Sequence, residues 1–419
     1  MKANSDVIII GAGIGGLSLA LSLHQAGISC QVFEAVPELR PLGVGINLMP
    51  HASKELGELG LFPELNAVAV QTSESVFFTH HGQQIYKEPA GAALGYPWPQ
   101  YSIHRGDLQT ILLDAVRSRL GKDSVRCGYR CVGFTQDDDT ATVSFVDADG
   151  NPLPAVKGRI AVGCDGIHSV FRKQLYPDEG PPRYSGVNMW RGTTVWNPIL
   201  GGKSMIRAGW LSVGKMVVYP IRNDVTPDGK QLINWVAELE APRSAERDWG
   251  RPGQLADFLP AFENWNFDWL DVPALIQSSE SILEYPMCDH DPLPTWTQGR
   301  ATLLGDAAHP MVPRGSNGAG QAIIDARVLA GELKRSGLTP EALQAYDAVR
   351  VEATTRVVLT NRVNPPDAIL REVFERSKGR RFEHIEDVIA LSELQAIAEN
   401  YRKIAGFDAP SLLNRNRYV

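Results

Sequence analysis

The sequence is short of cysteine. It has five (Cys30, Cys127, Cys131, Cys164 and Cys288), and no two form a CxxC pair. An odd, scattered set excludes a disulfide framework and suits a reducing compartment, where such residues fill core space. Positive charge is not in excess either: 41 Lys and Arg stand against 48 Asp and Glu, a net charge of -7. That excludes nucleic acid or an acidic membrane surface as the main partner, because both call for a basic face. No stretch reaches the roughly 18 unbroken apolar residues of a membrane span. The run VIIIGAGIGGLSLALSL resembles a signal peptide only superficially, since glycines interrupt it at 11, 13, 15 and 16 and no small-residue cleavage site follows. A cytoplasmic protein is expected. Internal repeats and low-complexity segments are also lacking. What remains is an ordinary globular composition, 43% apolar and 21% charged, over 419 residues. That length exceeds one hydrophobic core and predicts two or more domains.

The amino-terminal segment carries the first chemistry. Asp6 to Ile10 is a β-branched apolar run that reads as a buried parallel strand. GAGIGG (11–16) follows at once, and then LSLALSLHQAG, with helical spacing and a C-terminal stop at Gly27. This strand–turn–helix context is what makes a GxGxxG spacing informative. Gly11 allows the tight turn, Gly13 lets the backbone approach a pyrophosphate, and Gly16 lets helix and strand pack closely. Phosphates then sit at the helix N-terminus, where free N–H groups and the dipole favour an anion. A second strand, CQVFE (30–34), ends in Glu34, placed to accept from ribose hydroxyls and to repel a 2′-phosphate. The motif suits FAD or NAD and disfavours NADP; it does not choose between the first two. A glycine turn without a ligand is the bland alternative.

Further along, Arg40 and PLGVGIN (41–47) form a loop before a helix near His51 to Leu59. YSIHRGDLQTILLDAVRSRL (101–120) has helical spacing, with apolar residues at 108, 111, 112, 115, 116 and 120 and with Arg105 just before the start as a phosphate or flavin contact or as a plain surface charge. RIAVGC (159–164) is another apolar strand, followed by Asp165, Gly166, Ser169 and Arg172. ATLLGDAAHP (301–310) repeats that layout with Gly305 and Asp306. Asp306 and His309 admit two readings, an acid/base pair or a cofactor clamp, with His309 structural in the second. If the acids at 34, 165 and 306 meet at one sheet edge, the nucleotide domain is discontinuous. Between 181 and 279 alternating stretches such as QLINWVAELE (231–240) predict an antiparallel sheet with one solvated face. Seven of the nine tryptophans (190, 196, 210, 235, 249, 265 and 269) fall between 190 and 269. Sheet core accounts for most of them, with one or two expected at a flat aromatic ligand. Helical spacing dominates from about 319, and REVFERSKGRRFEHIED reads as a solvated face or subunit contact.

Three separated motifs, GAGIGG with Glu34, CDGIHSVFR (164–172) and GDAAHP (305–310), together resemble the group A FAD-dependent aromatic hydroxylases, the para-hydroxybenzoate and salicylate hydroxylase-like flavoprotein monooxygenases. The resemblance spans about residues 5 to 360. RPLGVGIN (40–47), PQYSIHRGDLQ (99–109), MWRG (189–192) and INWV (233–236) are most similar to the phenazine-carboxylate monooxygenase branch. The resemblance implies an α/β fold: a Rossmann-like, glutathione-reductase-type FAD domain (1–70, 98–180 and 280–345), an antiparallel-sheet substrate domain (71–97 and 181–279) and a helical segment (346–419). It implies FAD held by Gly11, Gly13, Gly15, Gly16, Glu34, Arg40, Gly45, Arg105, the backbone near Cys131, Asp165, Gly166, Gly305, Asp306, Asn317 and Gly318. Asp306 would accept from ribityl hydroxyls. Arg191, Tyr219 and Trp235 are substrate candidates and His51 a further pocket residue; no side-chain acid or base is assigned. Many relatives carry a GQG-type sequence where this chain has Gly315-Ser316-Asn317-Gly318, so no glutamine contact carries over.

The reaction implied uses NADH or NADPH and O2 to hydroxylate an aromatic or heteroaromatic ring through a flavin C4a-hydroperoxide, with or without decarboxylation. The glycine run at 315–320, ahead of an apolar helix, has a task in it: its N–H groups can stabilise negative charge at N1/C2=O of reduced flavin, and the lack of side chains permits close approach. No second dinucleotide fingerprint is present, so nicotinamide is expected to bind transiently, in a monomer or homodimer. Rival readings are a different flavin enzyme on the same scaffold, such as a reductase or halogenase, or a non-catalytic flavin-binding protein. WNFDWLDVP (265–273) does not supply the WxWxIP segment of a halogenase.

Overall fold

The computed structural model describes residues 5–41, 43–241, 251–414 and 417–419; Leu42 of the RPLGVGIN loop and Trp249 lie outside them. A five-stranded parallel sheet runs in the order Ala301–Leu303, Ile160–Gly163, Val7–Ile10, Cys30–Glu34, Val125–Cys127. Val7–Ile10 is the central strand and all four residues are buried, as an apolar run covered on both faces requires. One face packs on the helices Ile14–Gln25, Arg105–Leu120 and Gly318–Ser336. A three-stranded antiparallel sheet (Arg130–Gln136, Ala141–Val146, Pro152–Gly158) covers the other. Because the strands are parallel, Glu34, Asp165 and Asp306 all emerge at one carboxyl edge.

One expectation is sharpened and one is corrected. The segment 101–120 is helical only from Arg105, which the apolar spacing places just before the start, and Gln100–His104 ahead of it is a strand paired with Gly45–Leu48 and Val70–Thr72. Tertiary pairing sets this boundary. His104 caps the helix by accepting the Gly106 N–H at Nδ1, 3.2 Å.

The correction concerns QLINWVAELE. It does lie in an antiparallel region, within an eight-stranded sheet whose only parallel pair among the described residues is Glu74–Phe78 with Ser204–Trp210. Neither face is solvated: every residue from Ile233 to Glu238 is buried. Trp190, Val218 and Trp235 pack on one side against Phe258, Phe262 and Trp265. Met189, Val217, Tyr219 and Val236 pack on the other, toward the nucleotide-type layer. The helices Pro340–Val363, Ala368–Ser377 and Leu391–Ala405 close the carboxyl-terminal side. Ile369, Leu370 and Val373 of the charged REVFERSKGRRFEHIED region's helix face inward against Phe77 and Ile85. Among the described residues, no helix is long and apolar enough to cross a membrane.

Candidate active site

Two cavities, of about 470 and 350 Å³, run end to end along the carboxyl edge of the parallel sheet. Gly13, Arg105, Cys164 and Gly166 line both, so the two form one elongated cleft. The outer cavity holds Gly11, Glu34, Arg40, Cys131 and Asp165. The inner one holds Gly15, Gly45, Gly305, Asp306, Asn317 and Gly318, together with Arg191 and Tyr219. Every sequence-predicted cofactor residue therefore lines the cleft except Gly16.

The glycine turn is built by close approach. Gly11 has φ +102°, and a Cβ on Gly16 would overlap the Gly11 carbonyl oxygen, so helix and strand meet only without a side chain there. Gly13 and Gly166 differ: a Cβ on either would meet no protein atom within 4 Å and would project into the cleft. The helix that starts at Ile14 has no side-chain N-cap, which leaves its first N–H groups to the cleft. Glu34 takes the Ala12 N–H on Oε2 (2.8 Å) and the Val36 N–H on Oε1 (3.1 Å). Each oxygen keeps lone pairs for further donors. Arg40 stands at the outer rim, exposed and paired with Glu38.

Asp165 is turned into its own loop, accepting from the Ser169 hydroxyl and the Val170 N–H. Burial pushes its carboxyl above the ordinary aspartate range against those bonds. Asp306 faces open space, but that space is the interior of the cleft; burial pushes its carboxyl up, partly offset by His309 and Arg105. The Arg105 backbone N–H donates to the Val44 carbonyl at 2.9 Å, but its guanidinium makes no hydrogen bond or ion pair with a protein group among the described residues and is available where the two cavities join. Asp325 lies behind Asp306. It accepts the Gly305 N–H (3.1 Å), His309 Nε2 (2.6 Å) and Arg350 Nε (2.6 Å). Burial pushes the Asp325 carboxyl up, but His309 and Arg350 outweigh it and hold it below the usual range. His309 is thus spent on fixing the turn that presents Asp306.

Arg191 and Tyr219 meet at one atom: Arg191 Nη2 (2.7 Å) and the Tyr219 hydroxyl (2.8 Å) both donate to the Gly45 carbonyl. Asn234 Oδ1 accepts the Gly45 N–H at 2.7 Å, and a Cβ on Gly45 would strike Asn234 and Ile221. Gly45 is therefore the peptide through which the sheet grips the cleft wall. Trp235 is a correction. It pairs with Val218, whereas Tyr219 pairs with Asn234 on the opposite face, so strand alternation turns the indole away from the cleft. Its Nε1–H donates to Ser279 Oγ at 2.7 Å inside the core. No tryptophan among the described residues lines either cavity; most of them build the outer core of the sheet. His51 is also away from the cleft, buried and stacked on Phe407.

Several residues escape sequence reasoning. Gln109 lines the outer cavity and donates from Nε2 to the Ala12 carbonyl, 2.8 Å. A smaller chamber adjoins Arg191 and Tyr219, and Arg207, Lys215, Arg314, Glu238 and Asp367 line it. Lys215 pairs with Glu238 (2.8 Å) and Asp367 (2.5 Å), and Arg207 pairs with Asp367 at 3.2 Å. The one sequence signal is a charge at an inward position of an apolar strand, as in MIRAGW and GKMVVYPI.

The chain is similar to known proteins in both sequence and fold. The family model described as an FAD binding domain matches residues 4–189 and 287–360. The chain is 44% identical over 408 residues to a phenazine 1,6-dicarboxylic acid hydroxylase of Lysobacter antibioticus, covering 96% of this chain and 97% of that one. It is 32% identical to a 3-hydroxybenzoate 6-hydroxylase of Aquipseudomonas alcaligenes, over 84% of this chain and 87% of the relative. The fold is similar to that of Klebsiella pneumoniae HpxO, solved with FAD and uric acid, with a TM-score of 0.75 at 24% identity over 99% and 98% of the two chains. The motifs, the cleft they line and these relatives agree, and the chain belongs to the FAD binding domain family of flavoprotein monooxygenases that hydroxylate aromatic rings.

Proposed function

We propose that this FAD-dependent monooxygenase hydroxylates a planar heteroaromatic carboxylic acid of the phenazine type. The observation that carries the reading is the chamber beside the inner cavity, where Arg191, Arg207, Lys215 and Arg314 face only two carboxylates, Glu238 and Asp367. A surplus of cations in a buried chamber favours an anionic ligand. The full-length similarity to a hydroxylase of phenazine 1,6-dicarboxylic acid supports the same class.

The cleft fits FAD in its length, in the open approach at Gly13 and Gly166 and in the donors at its two uncapped helix starts, before Ile14 and before Gly318. Glu34 would accept from the adenosine ribose and the backbone at Cys131 would border the adenine. Gly11, Gly13, Gly15 and the N-terminus of Ile14–Gln25 would hold the pyrophosphate. Arg105 would neutralise it at the junction of the cavities, and Asp306 would accept from the ribityl hydroxyls. Ser316 to Gly318 would lie against the ring with their N–H groups forward. When bound, FAD would supply the redox chemistry, with electrons from NAD(P)H and one oxygen atom of O2 going to the electron-rich ring while the other leaves as water. The chain's part is to orient the ring, to keep bulk water from the reacting face, and to place donors where negative charge develops.

We further divide the chain into a discontinuous FAD domain, a substrate sheet and a carboxyl-terminal helical segment, supported by strands from 7–10 to 301–303 sharing one sheet. A cytoplasmic monomer or homodimer, with small-molecule partners alone, completes the proposal. The test is a panel of phenazine, benzoic and nicotinic acids scored by NAD(P)H oxidation and product mass. A phenazine acid that gains one oxygen, with or without loss of CO2, supports the reading. Turnover of uncharged aromatics in preference to every acid overturns the substrate class.

A further inference from the structure

The loop from Val312 to Gly318 shows two sides. Pro313 and Ser316 to Gly318 line the inner cavity. The reverse side is held by side chains from helices far along the chain. Tyr401, on Leu391–Ala405, is fully buried, and its hydroxyl lies so close above Gly315 (φ +84°) that a Cβ there would overlap it. That hydroxyl donates to Asn361 Oδ1 at 2.6 Å and accepts from Asn317 Nδ2 at 2.8 Å. The second Asn317 amide hydrogen goes to the Gly315 carbonyl at 2.9 Å, and Asn361 Nδ2 reaches the Val312 carbonyl at 3.4 Å. Asn317 therefore turns its side chain away from the cleft, and the residue serves the cleft only through its backbone. Burial pushes the Tyr401 phenol up, so it stays a donor across the working pH range.

The Val312 and Gly315 carbonyls are thus anchored on the reverse side, and the Arg314 N–H donates within the loop to the Val312 carbonyl at 2.7 Å, which leaves the N–H groups of Ser316 to Gly318 to the cavity those residues line. Gly318–Ser336 has no side-chain N-cap that would compete for them. Fixed donors stabilise developing negative charge more than donors that must reorganise. We infer that Tyr401, acting through Asn317 and Asn361, is a positioning residue that sets how closely the Gly315–Gly318 backbone donors meet the flavin ring. This inference rests on the flavin reading above. It also links the reverse side of the loop to a second chamber, because Tyr401, Gly315 and Arg207 line that chamber together. A ligand group pressed against Tyr401 would press on the flavin-facing loop as well.

The test is Tyr401→Phe in the FAD-loaded enzyme, which keeps the ring and removes the hydroxyl. Looser donors favour the anionic reduced flavin less, so the reduction potential falls by about 30 mV, equivalent to a tenfold change in relative affinity for the reduced and oxidised forms in a two-electron couple. With phenazine-1-carboxylate present, hydrogen peroxide released per NAD(P)H consumed rises as well. Asn361→Leu, which withdraws the acceptor, moves the potential in the same direction and provides the measurement if Tyr401→Phe fails to fold. A lower thermal midpoint with an unchanged potential in both variants makes the contact merely structural and overturns the inference. Wild-type protein that takes up no FAD would instead overturn the flavin assignment itself.

Discussion

Replacing Asp306 with alanine separates binding from stability. The carboxylate faces the inner cavity, and its proposed task is to accept from the ribityl hydroxyls. Hydrogen bonds to a charged group contribute about 1.5 to 3 kcal/mol, so Asp306→Ala weakens FAD binding about 10- to 150-fold. The apoprotein behaves the other way. Burial raises the Asp306 pKa in the fold, so over the window above the ordinary aspartate range the folded state keeps a proton that the unfolded chain has released. Stability then falls as pH rises through that window and stays reduced above it. The variant lacks this loss. Relative to wild type, Asp306→Ala apoprotein therefore gains thermal stability between about pH 4 and about pH 7, the side of the window set by the usual aspartate value. Titration of FAD into apoprotein, followed by flavin fluorescence, gives the affinity, and thermal unfolding at the two pH values gives the stability. An FAD affinity within twofold of wild type refutes the ribityl assignment; a stability difference independent of pH refutes the burial argument.

Glu34→Ala removes the acceptor for the Ala12 and Val36 N–H groups and the proposed acceptor for the ribose; FAD binding weakens about tenfold. The flavin visible spectrum stays as in wild type, and a displaced band would place Glu34 near the ring instead. Gly16→Ala forces a Cβ into the Gly11 carbonyl; overpacking of about 1 to 3 kcal/mol lowers the apoprotein thermal midpoint, and an unmoved midpoint contradicts the close-approach argument. Trp235→Phe loses the bond to Ser279 and about 1 kcal/mol of stability while the KM for the aromatic substrate holds, and a raised KM would return the indole to the pocket. Asp325→Asn leaves Arg350 and His309 around a neutral side chain and destabilises the protein by about 3 kcal/mol, measured by urea unfolding; a change under about 0.5 kcal/mol contradicts a buried charge hub.

What could be read from the sequence is what local chemistry encodes. Strand, turn and acid lie within a few residues of one another at Glu34, Asp165 and Asp306, and the parallel sheet needs only to gather their ends. The nucleotide cleft was legible for that reason. The errors arise where a distant partner decides. Tyr101 to His104 lie ahead of the apolar helical spacing, and pairing with Gly45–Leu48 makes them a strand. QLINWVAELE alternates as a half-exposed strand does, but Phe258, Phe262 and Trp265 arrive from later in the chain to cover the second face. Trp235 attracts a ligand reading because indoles suit flat rings, and only its register opposite Val218 shows which face it takes. Asp367 and Tyr401 carry no local signal, since their partners lie about 40 to 160 residues away.

The order of strands in the parallel sheet also constrains how the protein is made. The strands Val7–Ile10 and Cys30–Glu34 leave the ribosome early, but Ala301–Leu303, which covers the free edge of Ile160–Gly163, comes nearly 300 residues after the first strand. The strand that carries this edge is itself complete only at Gly163, about 140 residues before Ala301, so at about 5 to 20 residues per second the edge stays open for roughly 7 to 28 seconds before its partner exists. An open apolar strand is a template for pairing with another chain. Synthesis of this protein thus includes a period in which a nascent half-sheet must be shielded, and slow translation or a block before residue 301 is expected to yield aggregate rather than a stable fragment.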